Sequence, residues 1–139
     1  MEKEINEIVS KNDISVDSIE KILKNAGISV VKKSENSIHI KSLGLNAVVK
    51  VSEYFILILI PFAVKEGADM DKLQSEIQKM NSKMAIGDIS INASNDIVFS
   101  LSYLTMSGFY IPHLISTVTA FFSISGESLK QNDLSEFIE

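Results

Sequence analysis

The sequence predicts an α+β domain, an antiparallel sheet with helices on one face, in the order α-β-β-β-α-β-β-α. Three observations predict it. Residues 54–62, Tyr-Phe-Ile-Leu-Ile-Leu-Ile-Pro-Phe, form the one run with no polar side chain before its proline. A bilayer-spanning helix needs about 20 apolar residues, and β-branched and aromatic content marks a strand. Segments 37–42, 45–51, 88–93 and 97–103 alternate apolar and polar residues, the period of a strand with one buried face. Segments 15–27, 70–84 and 111–122 instead place apolar residues three and four apart, the period of a helix with one buried stripe. Strands and helices that each bury one face close most simply as two layers.

In chain order, residues 1–14 hold Ile5, Ile8 and Val9 at helical spacing in a short segment read as an arm. Ser15 then supplies an N-cap, Val16, Ile19, Leu23 and Ala26 a stripe, and Gly27 the left-handed residue that ends the first helix. Ile28–Val31 reads as an extended lead-in, Ser34-Glu35-Asn36 as a turn, and Ser37–Ser42 as a strand with Ile38 and Ile40 inward. Gly44 permits the turn into Leu45–Val51. After Pro61, Asp69 or Asp71 caps a helix with Met70, Leu73, Ile77, Met80 and Met84 on one side. Asp88–Ala93 and Ile97–Tyr103 form a hairpin with Ala93 opposite Ile97, leaving Val98 and Leu104 outward. Gly108 and Pro112 precede a last helix whose stripe is Ile111, Leu114, Ile115, Val118, Phe121 and Phe122. Leu134, Phe137 and Ile138 are candidates for a docked final turn.

The central hairpin sets the faces. If Ser52-Glu53 closes it, Val51 lies opposite Tyr54 and Val49 opposite Ile56, so Tyr54, Ile56, Ile58 and Ile60 share the core face with Leu45, Ala47, Val49 and Val51. A four-residue loop preserves that parity. Phe55, Leu57 and Leu59 then stand beside Val48 on the other side, where a strand with one solvated face would be polar. A second subunit or a protein client could cover Val48, Phe55, Leu57 and Leu59; so could a helix or tail of the same chain.

With 139 residues the chain makes one domain, 1–139, with 1–14 and 127–139 as candidates for flexible ends. The absence of cysteine removes disulfides and thiolate chemistry, and the acidic, polar start is unlike a secretory signal, so a cytoplasmic protein is expected. A net charge of -5 without a Lys/Arg cluster argues against nucleic acid. Residues 97–126 lack Asp, Glu, Lys and Arg, but strand alternation, Gly108 and Pro112 divide them, so no membrane span is expected.

No pattern for chemistry emerges. A nucleophile beside a base and a glycine-rich phosphate loop are both missing, and the glycines stand singly at caps and turns. His39 and His113 fall on outward sides without a ligand at helical spacing. Asp69 and Asp71 read as caps, Asp88 and Asp96 as turn residues, and Lys32-Lys33 as a solvated doublet. Three methionines on one helix suit core packing or an adaptable apolar groove. No catalytic residue, metal or cofactor is expected.

The helix Ser15–Gly27, the paired strands Asn46–Val51 and Tyr54–Phe62, and the segment Ile77-Gln78-Lys79-Met80-Asn81 followed by Ile86–Tyr103 resemble the YbjN-like domain family, with Asn81 closing the middle helix. Gln78 stands where family members often have a second asparagine. The family is described as sensory-transduction regulators and shares its fold with type III secretion chaperones. The resemblance implies a type III secretion chaperone-like fold and a non-enzymatic, often dimeric domain that holds other polypeptides. Two functions follow as expectations. One is a protein-binding module, chaperone-like or regulatory, acting as a homodimer through Val48, Phe55, Leu57 and Leu59 with the last helix. The alternative is a small-ligand sensor with an apolar cavity between the Met-rich helix and the sheet.

Overall fold

The structure is a computed structural model that describes residues 7–131 and 133–139. Ser15 opens the first helix, α1 (Val16–Asn25), with a reciprocal cap: its Oγ accepts from the Ser18 amide at 3.1 Å, and Ser18 Oγ accepts from the Ser15 amide at 2.9 Å. Three strands follow in sequence-neighbour pairs: β2 (Ser29–Lys33), β3 (Ser37–Ser42) and β4 (Leu45–Val51), after a short β1 (Ile8–Val9) at the start. Next come β5 (Phe55–Phe62), α2 (Met70–Asn81), β6 (Asp88–Ile91), β7 (Ile97–Leu104), β8 (Phe109–Tyr110) and α3 (Ile111–Gln131), with a 3-10 turn at Asp133–Phe137. Asp69 caps α2 by accepting from the Lys72 amide at 3.2 Å.

The main sheet is antiparallel in the order β2-β3-β4-β5-β7-β6, and β1 pairs with β8 in a separate ribbon. All three helices cover one face. Ile38, Ile40, Ala47, Val49, Ile56, Ile58, Ile60, Ile89, Ile97 and Phe99 point into that layer, where they meet Ile19 and Leu23 of α1, Leu73, Ile77 and Met80 of α2, and Leu114, Val118, Phe121 and Phe122 of α3. Leu134 and Phe137 of the final turn are buried in the same core, and Ile138 bridges to Val64. The predicted α+β architecture, with helices on one face, is the one observed.

Several details differ from the sequence reading. The lead-in at 28–31 is part of a full edge strand, β2, whose pairing with β3 slips between Val30 and Lys32. Tyr54 does not join the core: Val51 pairs with Ile56 and the Ser52 amide donates to the Phe55 carbonyl, so 52–55 are all spent on the turn. Its ring stands outside, 46% exposed, with Lys11 Nζ 5.1 Å from its centroid. The four-residue loop leaves the parity of Ile56, Ile58 and Ile60 as expected.

Ala93 is likewise in a loop, because Ile91 and not Ala93 pairs with Ile97. The Asn92 carboxamide oxygen accepts from the amides of Ser94 and Asp96 at 3.0 and 2.9 Å, a side-chain turn that takes five residues instead of three. At the start of the chain, Ile8 and Val9 are strand and not helix, while Ile5 lies outside the described residues. The ribbon needs Gly108: a Cβ there would sit 2.4 Å from the Val9 carbonyl oxygen, at φ +83°.

Candidate functional site

The outer face of the sheet is built by the pleat. Every residue that sends Ile56, Ile58 or Ile60 inward sends its neighbour outward, so Phe55, Leu57, Leu59 and Pro61 line the far side of β5. Their cross-strand partners are fixed by register. Leu59 lies opposite Val48 on β4 and Ser100 on β7; Leu57 opposite Lys50 and Ser102; Pro61 opposite Val98; Phe55 opposite Leu104. One strand further, Val48 pairs with His39 and Asn46 with Lys41, and His39 in turn with Lys32.

The structure therefore brings the four sequence-derived residues, Val48, Phe55, Leu57 and Leu59, onto one surface, each half-buried. None of the four packs against the helical core. Pro61, Val98 and Leu104 extend the apolar surface on the same face, and Leu104 is 70% exposed. Where the β2 bulge pushes Val31 out, it borders a shallow depression of about 240 Å³ with His39, Asn46, Val48 and Pro61.

Charge divides the face. On the β2–β4 side stand Lys32, Lys41, Lys50 and His39, and the outer positions of β2–β5 carry no carboxylate. None of these lysines makes an ion pair with a described residue. Across β5 the polar outer positions are Ser100 and Ser102 on β7, between Val98 and Leu104, and Asp88 and Ser90 on β6. An apolar stripe along β5 thus separates a basic margin from a hydroxyl and acidic one. Lysines far apart in sequence meet only because the hairpins align them, so no run of the chain announced this margin. Alternation with Val48 on β4, which places Asn46 and Lys50 beside it, was the signal available.

Both edges of this face are closed. On β6 the Asn81 carboxamide acts as a strand partner: its Nδ2 donates to the Ile89 carbonyl and its Oδ1 accepts from the Ile89 amide, both at 2.8 Å. On β2 the bulge and Lys32-Lys33 do the same work by shape and charge. Lys33 leans away from the outer face to Asp17 on α1 at 2.6 Å, and the hydrogen bond to that carboxylate raises its pKa.

The remaining candidates are dispersed. His113 is exposed on α3, its Nδ1 2.8 Å from the Tyr103 hydroxyl, while burial pushes the Tyr103 phenol above its ordinary range. Asp69 caps α2, and Asp88 lies on the outer face and not in a turn. Ser116, Ala120 and Ser123 face solvent on the far side of α3, so the sheet face and the outer side of the last helix are separated by the core and cannot form one surface. On α2, Leu73, Ile77 and Met80 are core residues, which leaves the methionine stripe occupied by packing. Among the described residues no helix is long and apolar enough to cross a membrane, and no cluster of three metal-ligand side chains occurs.

No family model and no curated protein matches the chain. Among solved structures it is similar to YbjN, a candidate transcription regulator from E. coli, at TM-score 0.76 and 14% identity over 91% of this chain and 96% of that one. It is also similar to an uncharacterized protein from Methanothermobacter thermautotrophicus, at TM-score 0.61 and 16% identity over 85% and 96%. The chain has a YbjN-like fold.

Proposed function

We propose that the chain is a non-enzymatic protein-binding module, regulatory or chaperone-like, that works through the outer face of its sheet and associates with a second copy of itself. One observation carries this reading: β5 is apolar on both faces, and among the described residues the helices cover only the inner one. A large apolar side chain gains about 1.5–3 kcal/mol on full burial, and the outer stripe leaves much of that unrealised. Patches of this kind on a small domain mark contact surfaces. With its edges closed by Asn81 and by the β2 bulge, the sheet offers a face and not a strand edge for pairing. The regulatory description of the YbjN neighbour is compatible with this, and three lysines over an apolar stripe suit a polypeptide better than a phosphate backbone.

Sedimentation of the purified protein tests the reading. The expected species has twice the 15.3 kDa chain mass, and Leu57→Asp shifts it to the monomer with an unchanged far-UV spectrum. If Leu57→Asp unfolds the chain, position 57 belongs to the core and the assignment of the face is wrong.

A further inference from the structure

The charge pattern of the outer face selects how two copies meet. We infer that two copies stack face to face about a two-fold axis running along β5, so that the basic margin of each lies over the hydroxyl and acidic margin of the other. This inference rests on the proposed binding role of the same face.

A two-fold axis between stacked sheets can run along β5 or across it. Across β5, each strand stays on its own side, so β4 faces β4 and β3 faces β3. With that axis level with Leu59, His39 confronts its own counterpart and Asp88 its own, while Lys41 and Lys50 of both copies share one half of a closing apolar interface, where like charges are strongly unfavourable. Along β5, the sides exchange. Level with Leu59, His39 lies over Asp88 of the second copy and Val48 over its Ser100; level with Leu57, Lys50 lies over its Ser102; level with Pro61, Lys41 lies over its Ser90. Phe55, Leu57 and Leu59 meet their own equivalents at the axis. Lys41 and Lys50 each gain a hydroxyl acceptor, the carboxylate of Asp88 gains a histidine, and the apolar stripe is closed in the middle.

The area suffices. With β2 outside the overlap, five strands at about 4.8 Å spacing and the eight residues of β5 at about 3.3 Å each give a shared face about 19 Å by about 26 Å. That is about 500 Å² per copy and about 1,000 Å² in all, at the small end of protein interfaces. Sheets packed this way align within about 30°, which keeps the facing columns in register near the axis.

The chain has no cysteine, so single-cysteine variants report without background. Packed sheets lie about 10 Å apart, too far for a direct disulfide, so a short bismaleimide is the probe. Leu59→Cys is expected to cross-link to itself. Ser102→Cys alone and Lys50→Cys alone are expected not to, whereas an equimolar mixture of these two variants is expected to give the cross-linked dimer. Cross-linking of His39→Cys alone, with none from the Lys50→Cys and Ser102→Cys mixture, would assign the axis across β5, overturning this inference while leaving the face as the interface. A dimer by mass that cross-links at none of these positions would overturn both the axis and the face. A monomer at all concentrations would overturn the axis and remove the second copy from the proposed function. Asp88→Lys provides a check independent of cysteine: it places a cation over His39 and is expected to weaken the dimer at least tenfold, with no change in the folded spectrum. An unchanged dissociation constant would count against the pairing.

Discussion

Adjacent residues on β5 live in different worlds. Ile58 has no solvent-accessible surface, and its neighbour Leu59, one peptide further and on the opposite face, is half-buried and touches nothing of the helical layer. Both are large aliphatic side chains in the same strand, so propensity cannot separate them. What separates them is cover: α1, α2 and α3 supply it on one side, and no described helix supplies it on the other. The contrast teaches that apolar content within a sheet is two quantities, one that holds the fold and one left for something else. The following predictions test that division by asking whether mutational cost follows face and not residue type.

The largest effect is expected at Ile58→Ala. The site is enclosed on all sides, so the lost methyl and methylene groups leave a cavity that the packed helices cannot fill, at a cost of about 2–5 kcal/mol in denaturant unfolding. A loss below about 1 kcal/mol would mean that the helical layer is loose enough to collapse, and the contrast between faces would fail on its inner side. Gly87 provides a second inner test. Its Cβ would sit 2.7 Å from the Phe121 ring and 2.8 Å from the Ser100 carbonyl oxygen, at φ +77°, so Gly87→Ala combines backbone strain with a collision in the core. It is expected to destabilise by about 1–3 kcal/mol, read in the same unfolding experiment.

Next in size is Asn81→Ala, which acts at the edge between the two faces. It strips both hydrogen bonds from the Ile89 backbone and should cost about 1–3 kcal/mol. It also uncovers a strand edge, so aggregation that grows with protein concentration is expected beside the lowered midpoint. Asn81→Asp keeps the acceptor for the Ile89 amide but sets a carboxylate against its carbonyl, and should be no better than alanine.

How much of this was legible without coordinates depended on whether the deciding interaction was local. The N-cap at Ser15, the capping of α2 by Asp69 or Asp71 and the turn at Gly44 are written within a few residues; the structure adds Ser18 as the reciprocal partner of Ser15 and selects Asp69. Strand parity was legible too, because the period of two survives any even change in loop length. Loop lengths themselves were not. Tyr54 was expected in the core because a two-residue turn looks the same in sequence as a four-residue one, and Ala93 because nothing announces that the Asn92 side chain will hold two amides. The adjacency of β5 and β7, the β1–β8 ribbon and the basic margin all depend on contacts between distant segments, which pattern reading does not reach. Val48, Phe55, Leu57 and Leu59 were found because their signal, an apolar strand where alternation should have broken it, is local. Lys32, Lys41 and Lys50 were missed as a group because their signal is not.

The smallest effect on stability is expected at Leu59→Thr, and it is the sharpest test of the comparison. Threonine is β-branched and favoured in strands, so replacing leucine with it isolates the loss of apolar surface from any loss of propensity. In the separated chain the change removes a side chain that packs on no described helix, and stability should fall by no more than about 0.5 kcal/mol, several-fold less than Ile58→Ala one residue away. Association changes what is measured. If a second copy covers this face, the wild-type midpoint rises with protein concentration, because mass action favours the folded dimer, and Leu59→Thr flattens that dependence. A midpoint independent of concentration in both proteins, with Leu59→Thr as costly as Ile58→Ala, would mean that the outer stripe holds this fold together by itself, and the two faces of β5 would no longer be different in kind.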